Sequence, residues 1–332
     1  MVASEKKAIR ALGLCSGGLD SILAGLVLRQ QNIAVAWITF ETPFFSADKA
    51  RAAARATGIS LTVQTITPVY LAMLRNPACG YGKHMNPCMD CHALMFRLAG
   101  EWMQSRGFDF LFSGEVVGQR PMSQTRSSLR YVEKHSGFDG YILRPLSARN
   151  LPETIPEKEG WVERERLLDL SGRTRKPQIR LAAEFGLTDY PAPAGGCLLT
   201  DAGYSRRLKD LFDHQAQVET AELELLKYGR HLRLDPTTKI IVGRTQTDNQ
   251  HILAHHDPTR DATVTVKDYP GPTLVIPGGA SPEAFARAAA ICAGYSKASQ
   301  EARVDVLITR PDGQQTLRVP PISPAEVRAL MF

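Results

Sequence analysis

Residues 16–21 have the composition of a phosphate-binding loop. They read Ser-Gly-Gly-Leu-Asp-Ser, after an apolar run and before an apolar periodic stretch, so a strand should lead into them and a helix should follow. Glycines let the backbone approach phosphate oxygens, and N–H groups at a helix N-terminus favour anions. Asp20 would repel phosphate unless a cation lay between them, which predicts Mg²⁺ there. The structural alternative is a glycine turn that caps a helix.

The loop resembles the SGGxDS PP-loop of ATP pyrophosphatases, a family that includes tRNA thiouridylases. The resemblance implies ATP cleavage between the α and β phosphates, transfer of AMP to a carbonyl or carboxyl oxygen, and a HUP-type α/β fold. It implies pyrophosphate binding by five residues, namely Ser16, Gly17, Gly18, Asp20 and Ser21. It also places the adenine pocket at Thr39 and Phe40, and a second glycine site at Gly114.

A second chemical motif is Asn-Pro-Cys-Met-Asp-Cys at residues 86–91, just before a predicted helix. Thiolates near a helix N-terminus are reactive or bind metals. A Cys-x-x-Cys pair in a chain without an export signal indicates metal, cluster or redox chemistry. A helix-surface or core role is favoured for the adjacent His92, although it could ligate a metal. Cys15 and Cys292 are expected to pack in the core.

The Asn-Pro-Cys motif resembles the nucleophile motif of bacterial tRNA 2-thiouridylases, which implies a catalytic Cys88 and a second catalytic cysteine at Cys197. The region around Cys197 is also similar to the thiolation region of 4-thiouridine synthetases. Cys91 is an additional cysteine that is not part of this catalytic pair in the 2-thiouridylases. The three thiols fit a subgroup of thiolases that hold a 4Fe–4S cluster through three cysteines, with one iron open to sulfide. A Cys88–Cys197 persulfide or disulfide and a Zn²⁺ site completed by Cys79 are the alternatives.

The C-terminal region resembles the RNA-binding domain of NFACT proteins. The similarity is carried by residues 240–250, which include Val-Gly-Arg, and by residues 289–298, which end in Tyr-Ser-Lys-Ala. Arg244 and Lys297 are candidate phosphate contacts here, and Arg120 is one in the N-terminal part. A structural or oligomerisation domain with surface charges is the alternative.

The charge of the chain is compatible with a nucleic-acid partner. The formal net charge of the 332 residues is +6, and residues 117–180 carry 13 basic against 8 acidic side chains. No apolar run approaches the ~18 residues of a membrane helix, and the N-terminus lacks a signal-peptide pattern. We therefore expect a cytoplasmic protein with no membrane partner. A homodimer is left open as its oligomeric state.

Alternating strand-like and helix-like segments predict the architecture. The N-terminal strands are expected at 8–15, 33–40, 61–66 and 108–112, and the helices between them at 19–30, 47–57 and 93–106. This order predicts a HUP-like α/β fold, a parallel sheet with helices on both faces, whose ligands bind at the carboxyl ends of the strands. Helical segments are also expected at 161–170, 177–185 and 205–227.

A smaller C-terminal α+β domain is expected after this sheet. Its predicted strands are 238–242, 263–266, 273–276 and 304–309, and its clearest helix is 281–294, with Ser281 as N-cap. The predicted organisation is a PP-loop domain with a substrate-facing extension (1–200), a helical linker (201–233) and the RNA-binding-like domain (234–332).

Together the resemblances imply an ATP-dependent tRNA-sulfur transferase. ATP would adenylate a uridine carbonyl oxygen of tRNA, and a sulfur nucleophile would displace AMP to leave thiouridine. The implied partners are ATP, Mg²⁺, tRNA and a sulfur donor, either free sulfide or a persulfide carrier. Two alternatives are a PP-loop ligase or sulfur-inserting enzyme that acts on a small molecule, and a non-catalytic RNA-binding protein.

Overall fold

A short apolar strand, β1 (Arg10–Leu14), is the central strand of the N-terminal sheet. Its residues Ala11 and Leu12 are buried, as expected for a parallel strand with neighbours on both sides. The other strands are β2 (Ala34–Glu41), β3 (Ser60–Thr65), β4 (Phe110–Ser113) and β5 (Ile142–Leu143). Neighbouring strands pair in parallel in the order β3-β2-β1-β4-β5. The predicted α/β fold with a parallel sheet is confirmed.

Helices flank this sheet. They are α1 (Leu19–Arg29), α2 (Asp48–Thr57), α3 (Thr67–Arg75), α4 (Cys88–Arg106), α5 (Arg126–Ser136), α6 (Ile155–Lys158) and α7 (Lys176–Glu184). Helix α1 packs against β1, β2 and β4 and also against α7, whereas α4 packs against α5, β1 and β4. Helices α2, α4 and α5 each end at a glycine in the left-handed conformation, which stops the helix without a Cβ penalty.

The strand order fixes where a ligand can bind. Strands β2 and β3 lie on one side of β1, and β4 and β5 lie on the other. The connection that leaves β1 therefore runs to one side of the sheet, and the connection that leaves β4 runs to the opposite side. In open parallel sheets the crevice at such a switch point, outside the carboxyl ends of the strands, is the usual ligand site. Residues 16–21 follow β1 and Gly114 follows β4, so both predicted phosphate-binding segments lie at this crevice.

The computed structural model describes residues 8–190 and 197–332. The chain divides into two units, Met1–Thr200 and Asp201–Phe332. The Ala-Gly-Gly segment before Cys197, residues 194–196, lies outside the described residues. No helix in the described ranges is long and apolar enough to cross a membrane.

The second unit is built on an antiparallel sheet of order β11-β10-β8-β9-β7-β6. Its elements are α8 (Ala202–His214), α9 (Thr220–Leu225), β6 (Arg230–Arg233), β7 (Lys239–Val242), α10 (Gln246–His255), β8 (Ala262–Val266), β9 (Leu274–Ile276), α11 (Pro282–Gly294), β10 (Val304–Arg310) and β11 (Gly313–Val319). Helix α11 packs on β8, β10 and β11. The Ser281 hydroxyl accepts a hydrogen bond from Ala284 N, which confirms the predicted N-cap.

Three predicted elements differ in the structure. Helix α4 begins at Cys88 rather than at residue 93, so the Cys-x-x-Cys pair forms its first turn. The predicted helix at 161–170 is wrong, because the backbone N–H groups of Leu168 and Leu170 bond to residues 145 and 146, and only Arg164–Arg166 makes a short 3₁₀ turn. The predicted helix at 205–227 is divided into α8 and α9, because Gln215 is extended and Glu219 starts a new capping box.

The sequence prediction missed several elements with weak apolar patterns. Helix α10 buries Asp248 and Ile252, and most of strand β11 is exposed. Helix α5 is highly polar, and its boundaries are set by Thr125, which accepts from Ser128 N, and by Gly137. These elements form through caps and strand pairing more than through an apolar face.

We predict that Gly294→Ala destabilises the second unit by about 2 kcal/mol, because a Cβ there would overlap the backbone carbonyl of Ile322. Calorimetric unfolding of this variant tests the prediction. Gly203→Ala is the control, because its Cβ would meet only the ends of the Arg207 and Asp201 side chains. Equal unfolding temperatures for the two variants would contradict the packing argument.

Candidate active site

The loop after β1 is held in an anion-binding conformation by its glycines. Gly17 has a φ of 73°, and a Cβ on it would overlap the backbone of Lys49 at the start of α2. Gly18 is the N-cap of α1, and its carbonyl accepts a hydrogen bond from the buried Ser21 hydroxyl at 2.8 Å. The Ser16 hydroxyl accepts from Gly18 N. The first turn of α1 thus presents its N–H groups at the sheet crevice.

Asp20 is half-buried in this crevice, with one oxygen held and one without a partner. Gln119 Nε2 donates to its Oδ2 at 2.9 Å, while no described residue hydrogen-bonds to its buried Oδ1. Burial raises the pKa of Asp20, although the hydrogen bond from Gln119, the nearby Gln178 side chain and the charges of Arg175 and Arg120 act to lower it. A carboxylate oxygen of this kind is a typical Mg²⁺ ligand. Asp20 therefore suits the predicted magnesium position.

The second glycine site packs directly on the loop. A Cβ on Gly114, the first residue after β4, would overlap the backbone of Asp20 and Ser21, so only glycine allows this approach. Thr39 and Phe40 lie near the end of β2, at the same edge of the sheet, and both are buried. The structure thus places all the predicted ATP-site residues along the carboxyl edge of β1, β2 and β4.

The Cys-x-x-Cys thiols lie one turn apart at the N-terminus of α4, and each has its own hydrogen-bond donor. Asn86 Nδ2 is 3.4 Å from Cys88 Sγ. The hydroxyl of Tyr70, a fully buried residue on α3, donates to Cys91 Sγ at 3.6 Å. Neither donor is apparent from the motif alone.

Cys197 belongs to the same neighbourhood. The following residue, Leu198, donates its N–H to Phe44 O at 3.3 Å, and the Phe44 ring lies 5.6 Å from the Tyr70 ring. Burial, and then the charges of Cys197 and Cys88, raise the pKa of the Cys91 thiol to about 12, against the effect of the Tyr70 hydrogen bond. The structure therefore brings together the three thiols that the sequence singled out.

At neutral pH the raised pKa keeps the Cys91 thiol protonated, chiefly because the thiol is buried, and a bound metal ion would favour its thiolate form. Three thiolates are a suitable donor set for iron or zinc. Among residues 8–190 and 197–332, no three His, Cys, Asp or Glu side chains are arranged to hold one metal ion. Cys79 is exposed, and its backbone N–H donates to Asp90 Oδ2 at 2.9 Å.

A buried carboxylate connects the thiol helix with the phosphate loop. Glu115 Oε1 is 2.9 Å from His92 Nδ1, and its Oε2 accepts from Arg144 Nε at 3.0 Å and from Ser113 Oγ at 3.1 Å. Burial acts to raise the pKa of Glu115, but Arg144 and His92 lower it to about 2. Because Glu115 adjoins Gly114 and His92 adjoins Cys91, the contacts run without a gap from the loop to a thiol.

Several of these residues were missed by the sequence analysis. Gln178 and Arg175 lie about 160 residues after the loop, and no motif links them to it. Glu115 and Gln119 flank the second glycine site, and a carboxylate directly after a buried strand was the available indication. His92, expected at a helix surface or in the core, is partly exposed and bonds to Glu115.

The predicted RNA contacts lie in both units. Arg120 is exposed in the first unit, and its charge acts on Asp20, so it lies beside the ATP-site residues. Arg244 precedes α10, and its Nε donates to Asp248 Oδ2 at 2.7 Å. Lys297 is exposed just after α11.

Two family models match the chain. The model described as thiamine biosynthesis protein (ThiI) matches residues 7–155, and the model of the NFACT protein RNA-binding domain matches residues 229–331. No curated protein matches the sequence. The two resemblances predicted from the loop, the thiols and the C-terminal motifs are confirmed.

The solved structures that match parts of this chain have low sequence identity to it. A 4-thiouridine synthetase–RNA complex with bound ATP is 20% identical, with a TM-score of 0.37, over 54% of this chain and 41% of that one. A predicted subunit of tRNA methyltransferase from Methanocaldococcus jannaschii is 16% identical, with a TM-score of 0.34, over 53% and 76%. The C-terminal part of the fibronectin/fibrinogen-binding protein from Streptococcus suis is 20% identical, with a TM-score of 0.29, over 39% and 67%.

We predict that Glu115→Gln lowers the free energy of unfolding of the first unit by about 3 kcal/mol at pH 7, because it breaks the buried ion pair with Arg144, which then keeps only its ion pair with Glu133. The pKa of Glu115 lies below its ordinary value, so the carboxylate stabilises the fold above about pH 4.5 and loses this effect as the pH falls towards 2. Urea unfolding of wild type and variant at several pH values measures both effects.

The control is Asp139→Asn, which removes an exposed ion pair with Arg130 and should cost at most about 1 kcal/mol. A difference between wild type and Glu115→Gln that stayed constant from pH 7 to pH 2 would contradict the assigned protonation state.

Proposed function

We propose that this protein is a cytoplasmic ATP-dependent tRNA-sulfur transferase. A uridine carbonyl oxygen would attack the α-phosphorus of ATP and release pyrophosphate. A sulfur nucleophile would then attack the activated ring carbon, and the C–O bond to AMP would break to leave thiouridine. The observation that carries this proposal is the unbroken set of contacts from Asp20 through Gly114, Glu115 and His92 to Cys91.

The ATP half of the reaction would be performed by the loop. Its N–H groups, with Ser16 and Ser21, would bind the departing pyrophosphate, and Asp20 would hold Mg²⁺ through its unpartnered Oδ1. The positive charges of Arg120 and Arg175 also act on Asp20. Groups that are already oriented towards developing negative charge provide most of the stabilisation in phosphate transfer. The ThiI family match supports ATP use by this domain.

The sulfur half would be performed by the three thiols. Cys88, Cys91 and Cys197 would ligate a 4Fe–4S cluster, which when bound supplies an open iron that can carry sulfide. Tyr70 and Asn86 would orient the Cys91 and Cys88 sulfurs through their hydrogen bonds. Hydrogen bonds to the sulfurs are among the factors that set cluster potentials. The proximity of the three thiols supports a shared metal occupant over three separate thiols.

RNA would be bound by Arg120 of the first unit and by Arg244 and Lys297 of the second. The NFACT RNA-binding match supports a nucleic acid as the sulfur acceptor. The thiamine description of the other family match favours a second candidate, sulfur delivery to a small molecule. Thiouridine formation in purified tRNA, measured by nucleoside mass spectrometry, distinguishes the two.

We predict that Asp20→Asn lowers ATP cleavage to AMP and pyrophosphate about 100-fold or more, because it removes the charge that would hold Mg²⁺ between loop and phosphate. Pyrophosphate release is the measurement. Asp169→Asn, which changes an exposed ion pair with Arg149, is the matched control. Unchanged pyrophosphate release in Asp20→Asn would reject the role of this carboxylate.

We predict that anaerobically purified protein is brown and carries about four irons per chain. Replacement of Cys88, Cys91 or Cys197 by Ala should abolish both colour and tRNA thiolation, while Cys15, Cys79 and Cys292 should be dispensable. Iron analysis and nucleoside mass spectrometry measure the two outcomes, and Cys79→Ala is the exposed-thiol control.

Colourless, zinc-containing protein that loses its metal in Cys79→Ala would instead support the zinc site. Metal-free protein that thiolates tRNA through Cys88 and Cys197 without Cys91 would support the persulfide route.

A further inference from the structure

Three aromatic rings stack in parallel on the second unit. The Tyr228 ring centroid lies 4.4 Å from that of His251 and 5.9 Å from that of His255, and each histidine plane is within 8° of the tyrosine plane. His251 and His255 are one turn apart on α10, so they lie on one face of the helix. All three side chains are only half-buried. Part of the stack therefore remains accessible at the surface.

The backbone around Tyr228 fixes the position of its ring. The Tyr228 carbonyl accepts from the buried His231 Nε2 at 2.9 Å, and the next residue, Gly229, donates its N–H to Asp248. Gly229 has a φ of 75°, and its Cα faces the carbonyl of Val242 so closely that a Cβ there would lie 2.8 Å from this oxygen. One side of the ring packs on the apolar cluster of Leu225, Ile241, Ile252 and Val275. The tyrosine thus needs little reordering to receive a ligand.

Net charge cannot draw RNA to this unit. Residues 201–332 contain 16 Lys+Arg and 16 Asp+Glu, so the formal excess of the chain lies entirely in residues 1–200. A neutral unit gains little of the counterion-release affinity that dominates binding by basic domains. Its affinity for RNA must come from local contacts, and base stacking on aromatic rings is the main uncharged one.

The few charges near the stack are arranged to suit a phosphate. The guanidinium of Arg207 on α8 donates to the carbonyl of Leu226, two residues before Tyr228. Burial lowers the pKa of Arg207, as do the neighbouring charges of Arg244 and Arg206, while the carboxylate of Asp201 acts against them. The two carboxylates that act on Tyr228 are already paired, Glu224 with Lys227 and Asp248 with Arg244.

We propose that Tyr228, His251 and His255 form a stacking site for an unpaired RNA base, and that Arg206, Arg207 and Arg244 bind the adjoining phosphates. This inference rests on the proposed function and specifies the part of the RNA that the second unit binds, a single-stranded loop or end. Bases within an A-form duplex are stacked on each other and cannot enter such a site, whereas unpaired bases can.

The test measures RNA binding by full-length variants. Tyr228→Leu keeps the apolar packing and removes the ring, and His255→Ala removes an outer ring. Each should weaken binding of a fluorescein-labelled single-stranded RNA about tenfold, with an unchanged salt dependence, because stacking releases no counterions. Arg244→Ala should instead reduce the salt slope by about one. Fluorescence anisotropy over a salt series measures both quantities.

Tyr269→Leu is the matched control, because Tyr269 is an exposed tyrosine (41%) of the same unit and should not alter binding. Thermal unfolding checks that each variant is folded. A 2-aminopurine base in the RNA should be quenched by wild type and not by Tyr228→Leu, which reports stacking directly.

Two results would overturn the stacking site while RNA binding stands. In the first, Tyr228→Leu and His255→Ala bind like wild type. In the second, wild type binds a fully paired duplex as tightly as single-stranded RNA. Wild type that binds no RNA at any salt concentration would overturn the RNA acceptor of the proposed function, and this inference with it.

Discussion

The buried charge of Glu115 is the constraint on which the N-terminal site depends. A carboxylate in this position is stable only with full compensation, and Arg144, itself almost inaccessible, supplies the opposite charge. Arg144 also bonds to Glu133 of α5 and to the carbonyl of Leu129. The ends of β4 and β5 and the helices α4 and α5 are thus bound to one carboxylate. The Glu115 carboxylate also orients His92, and through this bond it helps to position helix α4, which carries the thiols.

The fold was predictable where apolar pattern and chain order agree. Strands β1 to β4 were found within a few residues, because each is a short segment bounded by a helical pattern, and β3 and β4 each follow a helix that ends at a glycine. The sequence predicted a parallel sheet but not its strand order, because the apolar pattern does not specify which strands pair. The structure gives the order β3-β2-β1-β4-β5. The predicted helix over residues 161–170 failed for a non-local reason, since Leu168 and Leu170 pair with residues that follow β5. Strand β11 was missed because pairing with β10, not burial, holds it.

The site was predictable where a motif lies within one segment, and the family resemblances added Thr39, Phe40, Gly114 and Cys197 from other segments. The loop of residues 16–21 and the Cys-x-x-Cys pair were both apparent, because the chemistry demands those residue types at close spacing. Gln119, Gln178 and Tyr70 were not, since each acts on a motif residue from a distant part of the chain. Fewer of the basic side chains in residues 117–180 are free to contact a nucleic acid than their number suggested. Arg130, Arg144, Arg149, Arg164 and Arg166 in this stretch form ion pairs with nearby carboxylates.

The long-range contacts of Asp20 have a consequence for biosynthesis. Gln119 reaches this carboxylate from 99 residues away, and Gln178 from still later in the chain. Because a chain is made from its N-terminus at about 5–20 residues per second, the loop leaves the ribosome several seconds before α7 exists. Cys88 and Cys91, at the start of α4, are likewise synthesised about 100 residues before Cys197. The side-chain contacts of Asp20 and the approach of Cys197 to the thiols of α4 can therefore form only when about 200 residues have emerged.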